Sequence, residues 1–210
     1  MSTVEAAAIA CGKLRLQATV HNPAGEPRGA VVICHPHPLY GGDMDNHVVA
    51  ALAEALAAGG LAALRFNFRG VGRSQGQHDN GNGERQDVLA ALAAAQELLP
   101  AGGKVGLAGY SFGAVMSAAV AAQAESLGAL ALISPPAAAP PVQALDAPGI
   151  PKLIVAGSED PIAPAAELEK IVASSRAELI VVPGVDHSWF PGFDEMAAHI
   201  AQWFAKSLAA

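Results

Sequence analysis

The chain has 210 residues, of which 52% are hydrophobic and 15% are charged, and 12 basic against 19 acidic residues give a net charge of −7. This composition excludes a disordered chain, and the length suits a single domain over residues 1–210. Because the chain is acidic and has no basic run, we expect neither nucleic acid nor an anionic membrane among its partners.

The N-terminal segment and the cysteines bear on where the protein works. Glu5 precedes a short apolar run at residues 6–10 without any basic residue, so the charged start of a secretory signal peptide is missing. No apolar run approaches the roughly 18 residues that a membrane helix needs. Cys11 and Cys34 are the only cysteines and lie far apart, which does not suggest a disulfide framework. We therefore predict a cytoplasmic protein.

Apolar runs of strand type alternate with helix-period runs along the chain. Strands are predicted at 14–22, as an edge strand, and at 30–35, 61–68, 104–110, 129–134, 152–158 and 178–184. Helices are predicted at 47–60, 84–99, 112–124, 165–175 and 194–208, with a loop at 135–151. Unbroken apolar strands between helices indicate the α/β class, a mostly parallel twisted sheet with helices on both faces. Functional residues are then expected at the carboxyl ends of the strands.

The first candidate for chemistry is GYSFG at residues 109–113, a Gly-x-Ser-x-Gly pattern. The pattern alone is weak evidence, but here a predicted strand ends at Tyr110 and a predicted helix begins at Phe112. A serine at such a turn projects above the sheet, and the N–H of Phe112 is placed to stabilise an oxyanion. We predict that Ser111 is a nucleophile. The alternative is a serine that caps a helix between two turn glycines.

A serine nucleophile needs a base, and the base needs an orienting carboxylate. Glu159 and Asp160 follow one later predicted strand, and Asp186 and His187 follow the next. The order serine, acid, histidine is the one expected with this nucleophile turn. We predict His187 as the base and Asp160 as its partner. Glu159 is the rival acid, whereas Asp186 is adjacent to His187 in the chain and poorly placed to reach its ring.

These motifs together resemble the α/β-hydrolases, and more narrowly their small lidless serine-hydrolase branch near the dienelactone hydrolases. The resemblance runs from residue 14 to residue 204 and includes GYSFG (109–113), GSEDPI (157–162), GVDHSW (184–189), HPHPLYGGDMDNHVV (35–49), LRFNFRGVGRSQG (64–76) and GNGERQDV (81–88). It implies the fold and the Ser111, His187 and Asp160 triad, but no particular substrate. Dienelactone hydrolases proper use a cysteine nucleophile, so Ser111 argues against that activity.

The stretch HPHPLYGGDMDNH at residues 35–47 is rich in histidine and aspartate. In an extended backbone, His35 and His37 would point to the same side, which suits shared metal ligation. No further acid with ligand spacing accompanies them, so we favour a loop without a metal. In that interpretation the two histidines brace the loop by hydrogen bonds.

In the α/β-hydrolase fold a second oxyanion donor comes from the loop after the third strand. The run at 30–35 is that strand here, so we predict the N–H of Leu39 or of Tyr40 as this donor, and the sequence does not choose between them. The polar residues Asp43, Asp45 and Asn46 are expected to cap the helix that begins near residue 47.

The resulting prediction is a serine hydrolase of the carboxylesterase type that cleaves small or short-chain acyl esters through an acyl-enzyme, without metal or cofactor. About 17 residues separate the predicted strands 129–134 and 152–158, too few for a helical lid. Tyr40, Phe112, Trp189 and Phe190 are predicted to line the substrate pocket.

A thioesterase, a peptidase or an acyltransferase on the same triad is the alternative to this esterase. A metallohydrolase or a non-catalytic member of the fold is less favoured. The sequence leaves open whether the protein forms a homo-oligomer.

Overall fold

In the computed structural model, which describes residues 1–125, 127–145, 147 and 149–209, the strands form one eight-stranded sheet. The strands are β1 (Thr3–Cys11), β2 (Leu14–Asn22), β3 (Ala30–Cys34), β4 (Ala62–Phe66), β5 (Val105–Tyr110), β6 (Leu127–Ile133), β7 (Lys152–Gly157) and β8 (Glu178–Val182). Their order across the sheet is β1-β2-β4-β3-β5-β6-β7-β8. From β4 to β8 every neighbouring pair is parallel, whereas β1 and β2 are antiparallel.

Helices cover this sheet on both faces. They are α1 (His47–Ala58), α2 (Asn82–Gln96), α3 (Phe112–Ala121), α4 (Pro140–Gln143), α5 (Ala165–Ser175) and α6 (Phe193–Ser207). One core contains the buried sides of α2, α3 and α5, and the other contains those of α1 and α6. Successive residues of β3 alternate between the two cores, with Val31 in one and Val32 in the other, as a strand buried on both faces requires. The predicted α/β class with a mostly parallel sheet is confirmed.

Two features of the fold differ from the prediction. Residues 14–22 do form a strand, but the edge position belongs to β1, which pairs with β2 in an unbroken register from Thr3 to Cys11. Because β1 is rich in alanine, which has a low strand propensity, its sequence does not indicate a strand. The predicted loop 135–151 contains the short helix α4, and two of its positions, Asp146 and Pro148, lie outside the described residues.

The sheet brings the loops that carry the predicted site residues together at one edge. Residues at or next to the ends of neighbouring strands pair across it, Cys34 with Gly109 and Gly157 with Val182. The segments that follow β3, β5, β6, β7 and β8 therefore start side by side, although they come from distant parts of the chain. Among the described residues, the structure contains no helix that is both long enough and apolar enough to cross a membrane.

Candidate active site

Ser111 occupies a sharp turn between β5 and α3. Its backbone is left-handed, with φ +54° and ψ −113°, and its N–H donates a hydrogen bond to Ile133 O at 2.9 Å. A non-glycine residue in this region is strained, and the neighbouring packing has to hold it there. The two glycines of the motif permit that packing: a Cβ at Gly109 would collide with Gly113 O, and one at Gly113 would collide with Cys34 O.

The hydroxyl of Ser111, the ring of His187 and the carboxylate of Asp160 form a continuous chain of polar contacts. His187 Nε2 lies 3.0 Å from Ser111 Oγ, and His187 Nδ1 lies 2.8 Å from Asp160 Oδ2 and 3.0 Å from Oδ1. A carboxylate can only accept, so Nδ1 carries the proton and Nε2 is free to accept from the serine hydroxyl. In such an arrangement the imidazole can remove the serine proton as the serine attacks.

Asp160 is buried, yet the protein keeps it ionised. Burial alone would raise its pKa, but hydrogen bonds from His187, from the Ser134 hydroxyl and from the backbone of Ala163 and Ile162 together hold the pKa of Asp160 below its usual value. The N–H of Ile162 reaches Asp160 Oδ1 at 2.9 Å and the N–H of Ala163 reaches it at 3.0 Å. The carboxylate is therefore fixed in orientation and charged at neutral pH.

The two other acids near these loops have different surroundings. Glu159 is exposed, and its backbone N–H donates to Val185 O at 2.9 Å. The carboxylate of Asp186 accepts from the amide and the hydroxyl of Ser188, at 2.9 and 2.6 Å. The structure therefore brings Asp160, and not either neighbour, to the ring of His187.

The loop after β3 is braced by its histidines, as predicted. The buried His35 Nε2 accepts the N–H of Phe68 at 3.0 Å, and its Nδ1 lies 2.6 Å from Pro36 O. Burial lowers the pKa of His35 to about 4, so the ring is neutral at physiological pH. Asn46 caps α1 by accepting the N–H of Val48 at 3.1 Å.

The prediction of Leu39 or Tyr40 as an oxyanion donor is wrong. The N–H of Leu39 donates to His37 Nδ1 at 3.2 Å, and the N–H of Tyr40 donates to His37 O at 3.0 Å. Both amides are consumed inside the single 3₁₀ turn of residues 38–40, so neither is available to a ligand. Within the part of the chain that the structure describes, the N–H groups of His37 and of Phe112 have no hydrogen-bond partner.

A cleft of about 560 Å³ opens over Ser111. Its lining is mostly apolar and consists of Pro36, His37, Tyr40, Gly41, Gly42, Asn46, Tyr110, Ser111, Phe112, Val115, Pro136, Ile162 and His187. The His37 ring packs between the rings of Tyr40 and Phe112, at centroid distances of 4.8 and 4.7 Å. The structure thus places Tyr40 and Phe112 in the cleft wall, as predicted from the sequence.

The other two predicted pocket residues do not line this cleft. Trp189 is fully buried in the core, and its Nε1 donates to Ser134 Oγ at 3.0 Å. Phe190 is 60% exposed and stacks outside the cleft on His47, with a centroid distance of 4.0 Å. The pocket prediction for these two residues is therefore wrong: the left-handed backbone of Trp189, φ +63°, accompanies a side chain that packs into the core, while Phe190 packs on α1.

The described residues contain no group of three or more His, Cys, Asp or Glu side chains placed to hold a metal ion. In the loop after β3, the nitrogens of His35 are taken by backbone groups, and Nδ1 of His37 accepts a backbone N–H. The two histidines that suggested shared ligation thus form backbone contacts at separate points.

Comparison with known proteins identifies the family. A family model described as an alpha/beta hydrolase domain matches residues 28–205. The chain belongs to the α/β-hydrolase family. This α/β-hydrolase is also 34% identical to a protein of Rickettsia prowazekii over 182 residues, which are 84% of this chain and 75% of that protein.

Solved structures place the chain in one branch of that family. An alpha-beta serine hydrolase homologue from Coxiella burnetii is 37% identical, with a TM-score of 0.87 over 94% of this chain and 96% of the other. A serine hydrolase without a lid from Xanthomonas campestris is 28% identical, with a TM-score of 0.88 over 99% of this chain and 96% of the other. The predicted superfamily and its lidless branch are confirmed, and these similarities support hydrolase activity for this chain.

Two contacts in the site of this α/β-hydrolase involve residues that sequence reasoning missed. The Tyr110 hydroxyl donates to the backbone oxygen of His187 at 2.6 Å, and burial, with the charges of Asp160 and Asp186, raises the pKa of Tyr110 to about 12. Ser134 follows β6 and lies beside Asp160. Because Tyr110 lies inside the GYSFG motif, the sequence could have indicated that it belongs to the site. Nothing in the sequence around Ser134 indicates its role.

Proposed function

We propose that this α/β-hydrolase is a serine carboxylesterase that cleaves small or short-chain acyl esters. The observation that carries the proposal is the chain of contacts from Ser111 Oγ through the ring of His187 to Asp160, at 3.0 and 2.8 Å, with Ser111 at the floor of an apolar cleft. Ser111 is the proposed nucleophile, His187 the general base and Asp160 the orienting acid.

The proposed reaction has two halves. As Ser111 Oγ attacks the acyl carbon, its proton passes to His187 Nε2, and the alcohol leaves with that proton when the tetrahedral intermediate collapses. Water then attacks the acyl-enzyme while His187 takes one of its protons, and His187 returns that proton to Ser111 Oγ as the carboxylic acid leaves. Asp160 stays ionised throughout and stabilises the imidazolium that forms in each half.

For the oxyanion we propose the N–H groups of Phe112 and His37 as donors. Phe112 is the first residue of α3, where the N–H has no partner within the helix and the helix dipole favours negative charge. His37 lies in the cleft wall, and its ring nitrogen and backbone oxygen hold the following turn in place. Each donor of this kind contributes about 3–4 kcal/mol to transition-state stabilisation.

The cleft favours an uncharged acyl group. None of the described residues that line it is Lys, Arg, Asp or Glu, and burial, together with the nearby ring of His78, holds the pKa of His37 below its usual value. An anionic acyl group would lose its hydration there without gaining a cationic partner. We therefore propose neutral esters as substrates. Only a cleavage assay distinguishes them from thioesters, amides and acyl transfer to an alcohol.

The test of this function is the Ser111→Ala variant, assayed with p-nitrophenyl acetate. We expect kcat to fall by about 10⁴-fold or more, because the nucleophile is lost while the fold is retained. Ser174→Ala is the matched control, since Ser174 is an exposed serine on α5 whose hydroxyl donates to Ile171 O. Full activity in Ser111→Ala, or loss of wild-type activity on addition of a chelator, would contradict the triad.

Substrate class is tested with matched ester pairs. We expect p-nitrophenyl butyrate to have a higher kcat/KM than the p-nitrophenyl monoester of succinate, which carries a carboxylate on a chain of similar length. Equal or reversed values would contradict the neutral substrate. Acyl thioesters and anilides in the same assay test the thioesterase and peptidase alternatives.

A further inference from the structure

Trp189 connects the loop that carries His187 to the end of β6. It follows His187 by two residues, is fully buried, and its Nε1 donates to Ser134 Oγ at 3.0 Å. Its backbone has φ +63°, a left-handed value that is unfavourable for a residue with a bulky side chain. The surrounding structure therefore has to impose this conformation. It does so by packing around the buried indole ring of Trp189.

Ser134 receives that hydrogen bond and is itself unusual. It is fully buried, its backbone has φ +42°, and its N–H donates to Val155 O at 2.7 Å. Its hydroxyl also interacts with the carboxylate of Asp160. A hydroxyl has one proton to donate. Since the indole of Trp189 donates to the oxygen, the hydroxyl can still donate its own proton to another acceptor.

We propose that Ser134 and Trp189 are positioning residues, whose shared hydrogen bond ties the loop that carries His187 to the end of β6 and so aligns His187 with Asp160. The proposal rests on the proposed function, because it concerns the alignment of the acid and the base of that reaction. Neither residue is among those that line the cleft, so they act through Asp160 and His187 and do not touch the substrate. Left-handed non-glycine residues cluster where a structure maintains strain for function, and Ser111, Ser134 and Trp189 all belong to this one network.

The arrangement has a specific energetic consequence. The indole N–H of Trp189 and the hydroxyl of Ser134 act through the same hydrogen bond, so the two contributions are not independent. Removing the hydroxyl also removes the benefit of the indole N–H, whereas removing the indole N–H leaves a hydroxyl that is free to rotate. Two residues that merely filled space in the core would instead show additive losses.

The test compares Ser134→Ala, Trp189→Phe and the double variant, all as full-length protein with a neutral p-nitrophenyl ester. Trp189→Phe keeps an aromatic ring and loses the N–H. We expect each single change to lower kcat about tenfold with little change in KM, as for the loss of one buried hydrogen bond. The double variant should lose no more than Ser134→Ala alone.

The matched control is Trp203→Phe, which removes the other indole of the chain. Trp203 Nε1 also donates to a side-chain oxygen, Glu178 Oε1 at 3.0 Å, but it lies on α6 and not among the cleft residues. We expect wild-type kcat for this variant. Ser134→Gly is a second way to remove the hydroxyl, and it suits the positive φ of residue 134, so a folding defect of Ser134→Ala would not leave the hydroxyl untested.

The division of the loss between kcat and KM is the readout that separates positioning from damage to the cleft. A misaligned acid and base lower kcat and leave substrate binding unchanged, whereas a disturbed cleft also raises KM. Trp203→Phe should change neither quantity.

Several outcomes would overturn the proposal. Wild-type kcat in both single variants, a loss that appears in KM instead of kcat, or additive losses in the double variant would show that the pair has no positioning role. If Ser111→Ala is inactive in the same experiment, the esterase proposal stands and only the positioning role is wrong. If Ser111→Ala is active, the proposed function itself fails.

Discussion

The loops after β3 (residues 35–46) and after β8 (residues 183–192) have similar compositions but opposite hydrogen-bond arrangements. Each contains histidine, aspartate, proline, glycine and an aromatic residue. In the first loop the rings of His35 and His37 bond to backbone groups and hold the chain in place. In the second, the side chains of Tyr110 and Ser134 bond to the loop and leave the ring of His187 to bridge Ser111 and Asp160.

The difference shows that residue type in a loop does not indicate chemical role. A histidine whose nitrogens are taken by backbone groups is a structural element, with a neutral ring in the case of His35. At His187, side chains from outside the loop hold the backbone, so both ring nitrogens remain available to contact other side chains. Changing the groups that hold each histidine therefore tests whether the two loops differ in this way.

The largest expected effect comes from the acid that orients His187. Asp160→Asn should lower kcat by about 10³–10⁴-fold, because the amide stabilises neither the required tautomer nor the imidazolium. Asp186→Asn is the matched control from the same loop region, and its carboxylate bonds to Ser188. We expect it to retain most of its activity in the p-nitrophenyl acetate assay. Equal losses in the two variants would show that the acid is assigned incorrectly.

A second prediction concerns the structural histidine and pH. The pKa of His35 is about 4 in the folded protein and 6.5 as the ordinary value, so the unfolded chain binds the proton first as pH falls. The neutral ring of His35 therefore contributes about 3 kcal/mol to the free energy of unfolding. The whole contribution is present above pH 6.5, and it is lost as the pH falls from 6.5 to 4.

Urea unfolding at pH 7 and pH 4.5 measures this loss. His35→Gln should be less stable than wild type at pH 7 but should lose less stability on acidification. Because burial also lowers the pKa values of His21 and His37, the informative quantity is the difference between wild type and variant. His199→Gln, a change of an exposed histidine on α6, is the control. Parallel pH dependences for wild type and His35→Gln would contradict the prediction.

The smallest expected effect comes from removing the hydrogen bond that Tyr110 donates to the loop after β8. Tyr110→Phe removes the hydroxyl that donates to the backbone oxygen of His187 at 2.6 Å, while the ring remains. We expect kcat to fall about tenfold, a loss comparable to one buried hydrogen bond. Single-turnover measurement of acylation should show the same decrease. An unchanged acylation rate would mean that the remaining contacts fix the loop without this hydroxyl.

Local patterns predicted most of the elements and brought the correct residues into consideration. The strands β2 to β8 and the helices α1, α2, α3, α5 and α6 appear within a few residues of their predicted bounds, because each is specified by apolar periodicity within a short window. The strand β1 was not predicted, because its pairing with β2 depends on backbone groups and not on the side chains of its alanines.

The sequence by itself determined the family, the α/β class and the candidates Ser111, Asp160 and His187, because each candidate directly follows a recognisable strand in a fixed chain order. Only the tertiary structure decided which amides and which aromatic rings are available. The N–H groups of Leu39 and Tyr40 are occupied by His37, and Trp189 is buried against Ser134, 55 positions earlier in the chain. Occupancy of a donor and burial of a ring depend on where the backbone turns and on what packs against it, and a local pattern contains neither.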